Sequence, residues 1–416
     1  MHSRLKIKTV TFMDITPSTN ENITSQVKDI FQIDSIVWST SEENSVVRYY
    51  GSLLLDSVEA YDKLAEALSP FGLTPLFREH EGKHQIILIK DLPEPKQSNP
   101  WVNLGLFILT IFSVLFAGSS YVYTGTETEL GEAILGILRN LGQGWPFAVS
   151  LLAILLAHEF GHYLAGRYHK SYVTLPYFIP LPIPYSLGTM GAFIAMKSPP
   201  KNKRALLDIG IAGPLAGLVV AIPVLLIGIS LSTVGDLPTN LSAENGFMLE
   251  GNSIFYLISK YIIHGQWLPE PASYGGVSPF IYWIKYFFTG NPFPLGGMDI
   301  QMHQVAWAGW AGLLVTALNL IPAGQLDGGH LLYTLFGEKA TKVVPIVLGF
   351  LVILGFGWNG WWLWAFLIFF MGRSHAEPLD SITELDHRRK ILAIIGLIIF
   401  LLIFVPIPLR TIIGPL

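Results

Sequence analysis

No cysteine occurs anywhere in the 416 residues. That excludes disulfides, thiolate metal sites and a cysteine nucleophile, so any metal must be held through nitrogen and oxygen. Charge is scarce as well. Asp, Glu, Lys and Arg together make up 13% of the chain, against roughly 25% in an ordinary soluble domain. The net charge of −4 mixes both signs, and without a basic patch there is no electrostatic footprint for nucleic acid. The opening MHSRLKIKTVTFMDITPST lacks the apolar core of a signal peptide, so no cleaved leader is expected. Apolar residues fill the space that charge leaves: 51% of the chain, with 11 Trp and 25 Phe. This is the composition of a polytopic membrane protein.

The apolar residues are not spread evenly. Residues 1–94 read as a small soluble α+β domain of the αββαββ kind. In ENITSQVKDIF, Ile23, Val27, Ile30 and Phe31 recur at helical spacing. SIVWST and VVRYYGSLLL flank the polar turn SEEN as strands, and TPLFREH and HQIILIKD flank EGK. Between them DSVEAYDKLAEAL predicts a helix, with Asp56 as cap and Glu59 three residues on. A proline-rich linker, residues 95–100, then leads into a membrane domain, 101–416. Apolar runs near 101–119, 145–166, 205–232, 303–320, 343–357, 359–372 and 390–409 bracket the ~20 residues a helix needs to cross. The fold class expected is therefore a polytopic α-helical membrane protein of six to seven spans with an N-terminal α+β domain.

Basic residues orient these spans. Arg167, Lys170, Lys197, Lys201, Lys203, Arg204, Lys339, Lys342, Arg373, Arg388, Arg389 and Lys390 fall on one side; Arg139, Lys260, Lys285 and Arg410 fall on the other. The positive-inside rule makes the first side cytosolic, and the N-terminal domain with it. The expected setting is a multi-pass protein of the cell membrane. A hairpin over 343–372 is preferred to one long helix, which would send the basic run RRK outside. Residues 171–200 are apolar but broken by prolines, so they cannot form a continuous helix; GTMGAFIAM can supply an extended strand there. Residues 234–302 form a long outer segment.

The chemistry concentrates at HEFGH, residues 158–162. On a helix His158 and His162 lie one turn apart on one face, where both imidazoles can hold one metal ion. Glu159 is offset beside them, placed to accept a proton from a metal-bound water. Ionisable groups at membrane depth are costly and mark function by default. Catalytic zinc takes three protein ligands and an open position. The third is sought in NLIPAGQLDGGH, residues 319–330. Asp327 sits at the cytosolic end of the fourth span, at the depth of His162, and His330 competes with it. Pro322 and Gly324 are expected to interrupt the helix, and Gly328 and Gly329 to let the backbone turn tightly there. Asp208 has two readings: a cap of the third span, or a group facing the active-site water. Gly213, Pro214 and Gly217 read as small residues for close helix packing. His303 reads as interfacial; His375 and Asp380 read as structural.

HEFGH on one span, with Asn319, Pro322, Asp327, Gly328 and Gly329 forming N-x-x-P-x-x-x-x-D-G-G on a later one, resembles the site-2 protease family of intramembrane zinc metalloproteases. IAGPLAG, residues 211–217, is similar to that family's small-residue motif on the intervening span. GTMGAFIAMKSPPKNKRALLDIGIAGPLAG resembles the prokaryotic relatives of the chloroplast-type branch. The resemblance covers a core of about 145–335. It implies one zinc ion per chain held by His158, His162 and Asp327, with Glu159 as general base. It implies that Asn319 holds the substrate carbonyl or its oxyanion, and that the strand carrying Gly188 and Gly191 pairs with the substrate. The substrates would be transmembrane proteins, cut within the lipid bilayer. A metal-ion transporter or an inactive membrane scaffold could use the same ligands. Glu159 speaks against both, because a transit site needs no general base.

Overall fold

The computed structural model describes residues 17–38, 45–80, 82–90, 98–125, 129–239, 247–371 and 377–412. The turn SEEN, residues 95–97 of the linker, and His375 lie outside them. The chain divides into two units, residues 1–94 with 378–383, and the remainder.

In the first unit, α1 (Pro17–Lys28), β1 (Phe31–Trp38), β2 (Ser45–Leu53), α2 (Ser57–Leu68), β3 (Leu73–His80) and β4 (Lys83–Lys90) follow one another. The strands form one antiparallel sheet in the order β1-β2-β4-β3. Alternate residues of β3 and β4 (Leu73, Phe77, Ile86, Leu88) turn inward, where they meet Ile23 and Val27 of α1 and Leu64 of α2. Asp56 caps α2 by accepting from the Val58 N–H at 3.0 Å. The helical spacing read through Ile30 and Phe31 ends earlier than expected: Phe31 opens β1. Residues 378–383 belong to this unit although a long stretch of chain separates them from it. Phe77 donates its N–H to the Leu379 carbonyl at 2.9 Å and accepts from Ser381 N–H at 3.0 Å. Leu379 and Ile382 pack on the same core. Asp380 closes that segment, accepting from the backbone of Ile382 and Thr383.

The second unit runs α3 (Pro100–Ser120), α4 (Leu130–Arg139), α5 (Trp145–Tyr168), β5 (Tyr177–Pro180), β6 (Thr189–Phe193), α6 (Lys203–Ser230), β7 (Thr233–Asp236), β8 (Phe247–Glu250), α7 (Ile254–His264), α8 (Pro279–Thr289), β9 (Met298–Gln301), α9 (Gln304–Asn319), α10 (Asp327–Phe336), α11 (Val344–Leu354), α12 (Gly360–Met371), α13 (His387–Ile403) and β10 (Leu409–Ile412). Among the described residues, three helical stretches are long and apolar enough to cross a membrane: Pro100–Ser120, Leu141–Tyr168 and Lys203–Ser230. The other apolar helices are shorter. Within residues 344–371 there are two helices, α11 and α12, with a break at 355–359.

The helices α5, α6 and α9 pack against one another at the centre. Most of α9 is buried, and its interior is rich in Ala and Gly. Small side chains let the backbones approach closely, which replaces the hydrophobic drive that lipid does not supply. An added methyl at Gly309 would meet the Leu225 backbone, and one at Gly312 would meet Ile154. Trp310 is 1% exposed and spends its indole N–H on the Gly251 carbonyl at 2.8 Å.

Candidate metal centre

Residues 145–168 form one helix because the run FAVSLLAILLA carries no glycine or proline to interrupt it. HEFGH therefore falls on its C-terminal half, with His158 and Glu159 each 3% exposed and His162 7%. The second part of the site arrives from α9 and α10. Asn319 ends α9. Leu320–Leu326 turn back, with Gly324 in the left-handed region at φ 58°, and α10 begins at Asp327. Gly328 and Gly329 lie inside α10, so they do not make the turn as expected. They admit it: a side chain at either would strike the carbonyl of Leu320 or Gly324 on the returning loop. The turn itself rests on Gly324.

Three ligand atoms converge. His158 Nε2 and His162 Nε2 are 3.2 Å apart, and Asp327 Oδ2 lies 3.4 Å from the first and 3.3 Å from the second. Ligands about 2.0–2.1 Å from a tetrahedral zinc ion stand about 3.3–3.4 Å from one another, so the spacing is that of three corners of such a site. The donor chemistry agrees. His162 Nδ1 lies 2.7 Å from the Ile209 carbonyl, which only accepts, so Nδ1 carries the proton and, in the neutral imidazole, Nε2 presents a lone pair. A carboxylate oxygen and two imidazole nitrogens converging on one point form a donor set that suits a divalent cation. His158, His162 and Asp327 are the group of that kind found among the described residues. His330 is not part of it; its side chain packs against Gly210 of α6.

Asn319 Nδ2 lies 3.1 Å from His158 Nε2, so its amide is directed at the centre. Glu159 sits within electrostatic reach of His158, His162 and Asp327. The IAGPLAG stretch does more than pack helices. Ile209 and Gly213 are one turn apart on the same face of α6, and a side chain at Gly213 would occupy the His162 ring itself. The glycine and the carbonyl make one notch for that imidazole. At Gly217 an added methyl would stand 3.2 Å from His158 Cβ, tight but less obstructed.

The two glycines expected to meet substrate have different surroundings. Strands β5 and β6 form a two-stranded antiparallel sheet. Gly188 precedes β6, and its carbonyl already accepts from Ser113 Oγ at 2.6 Å and from the Leu181 N–H. Gly188 therefore anchors the hairpin to α3. Gly191, inside β6, has open space where a side chain would stand, next to Met190 at 63% exposure.

Asp208 neither caps α6 nor stands as a free group at the centre. Asn202 is the cap, accepting from Ala205 N–H at 3.0 Å, while Asp208 pairs with Arg389 and His169. His303 caps α9, its Nδ1 accepting from Val305 N–H. His169 and Arg389 were not anticipated. His169 carried a signal, since it follows His158 and His162 at i+11 and i+7, on the same side of the chain where α5 ends.

The sequence model of Peptidase family M50 matches residues 146–355. The chain is 29% identical over 339 residues to probable zinc metalloprotease EGY1, chloroplastic, of Arabidopsis thaliana, covering 77% of this chain and 56% of that protein. It is 26% identical over 391 residues to probable zinc metalloprotease EGY2, chloroplastic, of Oryza sativa subsp. indica, covering 91% and 65%. The chain thus spans between half and two thirds of the length of these relatives. No solved structure matches it.

Proposed function

Because the chain belongs to Peptidase family M50, we propose that it is an intramembrane zinc metalloprotease that hydrolyses peptide bonds within transmembrane segments of membrane proteins. The observation that carries this is the convergence of His158, His162 and Asp327 at 3.2–3.4 Å beside the buried Glu159. Zinc held there supplies Lewis acidity, which lowers the pKa of water towards neutrality and polarises a carbonyl. Glu159 is the general base that takes the proton of the attacking water. Asn319 donates its amide N–H to the carbonyl oxygen as that atom gains charge.

Substrate is received at β6. A peptide bond in a helix is shielded, and unwinding it frees backbone groups that hydrocarbon cannot satisfy. Strand β6 pairs with β5 on one edge, so its other edge can take an extended segment. The open side of Gly191 allows close approach, whereas Gly188 serves by fixing the hairpin. Purified protein should contain zinc and cut a transmembrane peptide in proteoliposomes. A strong chelator should stop cleavage and added zinc restore it. Zinc-free protein that cleaves at the full rate would refute the reading.

The shorter helices α9 and α11–α13 complete a bundle of six to seven spans in the cell membrane, with the N-terminal unit cytosolic and 234–302 outside. The distribution of Lys and Arg supports this orientation. Because the chain has no cysteine, Glu270→Cys, at an exposed position, adds a single label site. An impermeant thiol reagent should reach it from the outer face; reaction from the cytosolic face alone would reverse the topology.

A further inference from the structure

His158 and His162 stand at i and i+4 along α5, and His169, the residue that closes the helix, follows at i+11 on the same side. Facing them on α6 are two consecutive residues. The Ile209 carbonyl takes the His162 Nδ1 proton at 2.7 Å, and Asp208 Oδ2 lies 3.0 Å from His169 Nε2. One short step of α6 thus holds α5 both at a metal ligand and at its cytosolic end. A third helix locks that step. Arg389, near the start of α13, donates Nε to Asp208 Oδ1 at 2.9 Å and Nη2 to Asp208 Oδ2 at 2.6 Å. Its remaining nitrogen, Nη1, reaches Asp386 Oδ2 at 2.6 Å. A fork of this kind fixes the orientation of a carboxylate as well as its distance. The Asp208 and Arg389 side chains are only 22% and 32% exposed, so solvent screens them less than a surface pair.

We propose that Asp208 and Arg389 are positioning residues of the metal centre: their clamp sets where the Ile209 carbonyl stands, and thereby the orientation and tautomer of His162. The inference rests on the zinc reading above. A metal-bound imidazole depends on the partner of its other nitrogen for orientation and basicity, and here that partner is a backbone carbonyl that cannot be changed by substitution. Its position can be changed only through what holds α6. Asp208 is the adjacent handle, tied to α5 by His169 and to α13 by Arg389. Releasing it lets this end of α6 slip against α5, and the His162 lone pair turns away from the other two ligands.

The test uses the full chain in detergent and reads zinc affinity by competition with a chromophoric chelator. Asp208→Asn and Arg389→Gln are each expected to weaken zinc binding about 10–100-fold, the usual effect of losing a partner behind a metal ligand. The double variant should bind no more weakly than the worse single one, because the two act as a unit. Arg389→Lys keeps the charge and loses the fork, so it should be impaired as well. The visible absorption of the cobalt-substituted protein should change in the clamp variants, a signature that loss of stability alone does not produce. Lys390→Gln removes the neighbouring exposed pair with Glu384, 3.6 Å apart, and should leave affinity and spectrum unchanged. Wild-type affinity and an unaltered cobalt spectrum in both single variants would overturn the clamp while leaving the zinc site intact. Wild-type protein that binds no zinc would overturn the metal reading and the clamp with it.

Discussion

Glu159→Gln is expected to keep its full complement of zinc and to cleave about 10²–10⁴-fold more slowly, the share a general acid–base group usually contributes. The substitution keeps the size of the side chain and one of its oxygens while removing its basicity. Zinc retention follows from the geometry, in which the three converging atoms come from His158, His162 and Asp327 and none from Glu159. Stability should not suffer either. Glu159 is 3% exposed, and burying an amide costs less than burying a carboxylate. The loss should therefore fall on kcat, with kcat/KM lowered in parallel, because the base acts only as the transition state forms. In barrier height it corresponds to about 3–5 kcal/mol. Metal analysis and single-turnover cleavage of a transmembrane peptide would measure both parts. A variant cleaving at the normal rate would move the base elsewhere; one that lost zinc would make Glu159 part of the metal's support.

How much of this could be read beforehand depends on how local each cause is. The i, i+4 spacing of His158 and His162 is a property of five consecutive residues, so it survives translation from chain to helix without further information. The break between α11 and α12 is similarly local, at the Gly–Trp-rich stretch 355–359. The candidate ligand Asp327 is harder, since it depends on a turn after α9; the sequence alone leaves His330 as a rival, and the packing of His330 against Gly210 separates them. Gly213 shows the limit of pattern reading. Its spacing indicates close packing, but whether the vacated volume holds a backbone or an imidazole depends on the rotation of α6 against α5. Paired glycines such as Gly328 and Gly329 ordinarily mark a turn, which is their usual local use. Their actual constraint is a carbonyl on the returning loop, visible only in three dimensions. Arg389 and Asp208 are 181 residues apart, and nothing in either neighbourhood indicates the other. The strand boundary at Phe31 fails for a different reason: apolar residues at a helix–strand junction satisfy both periods at once.

Asp327→Ala should weaken zinc binding by more than ~100-fold, exceeding the loss seen when a residue merely supporting a ligand is removed. Two imidazoles would remain, both from one turn of α5 and 3.2 Å apart. They cover one side of the ion only, while catalytic zinc normally takes three protein ligands. Asp327 would supply the opposing corner from a different helix, and with it the negative charge. Its place at the first turn of α10 suits an anion, because the unpaired N–H groups of a helix start favour one. Asp327→Asn separates the two contributions. It keeps shape and one oxygen but gives up the charge, and an uncharged amide oxygen is a poor zinc ligand, so it too should bind zinc weakly. Asp327→His restores a nitrogen lone pair and should recover part of the lost affinity. The decisive comparison is with His330→Ala. That ring packs on Gly210 rather than on the centre, so its loss should leave zinc in place. If Asp327→Ala kept zinc and His330→Ala lost it, the third ligand would lie one turn further along α10, and the tetrahedral spacing at Asp327 would not be that of the working site.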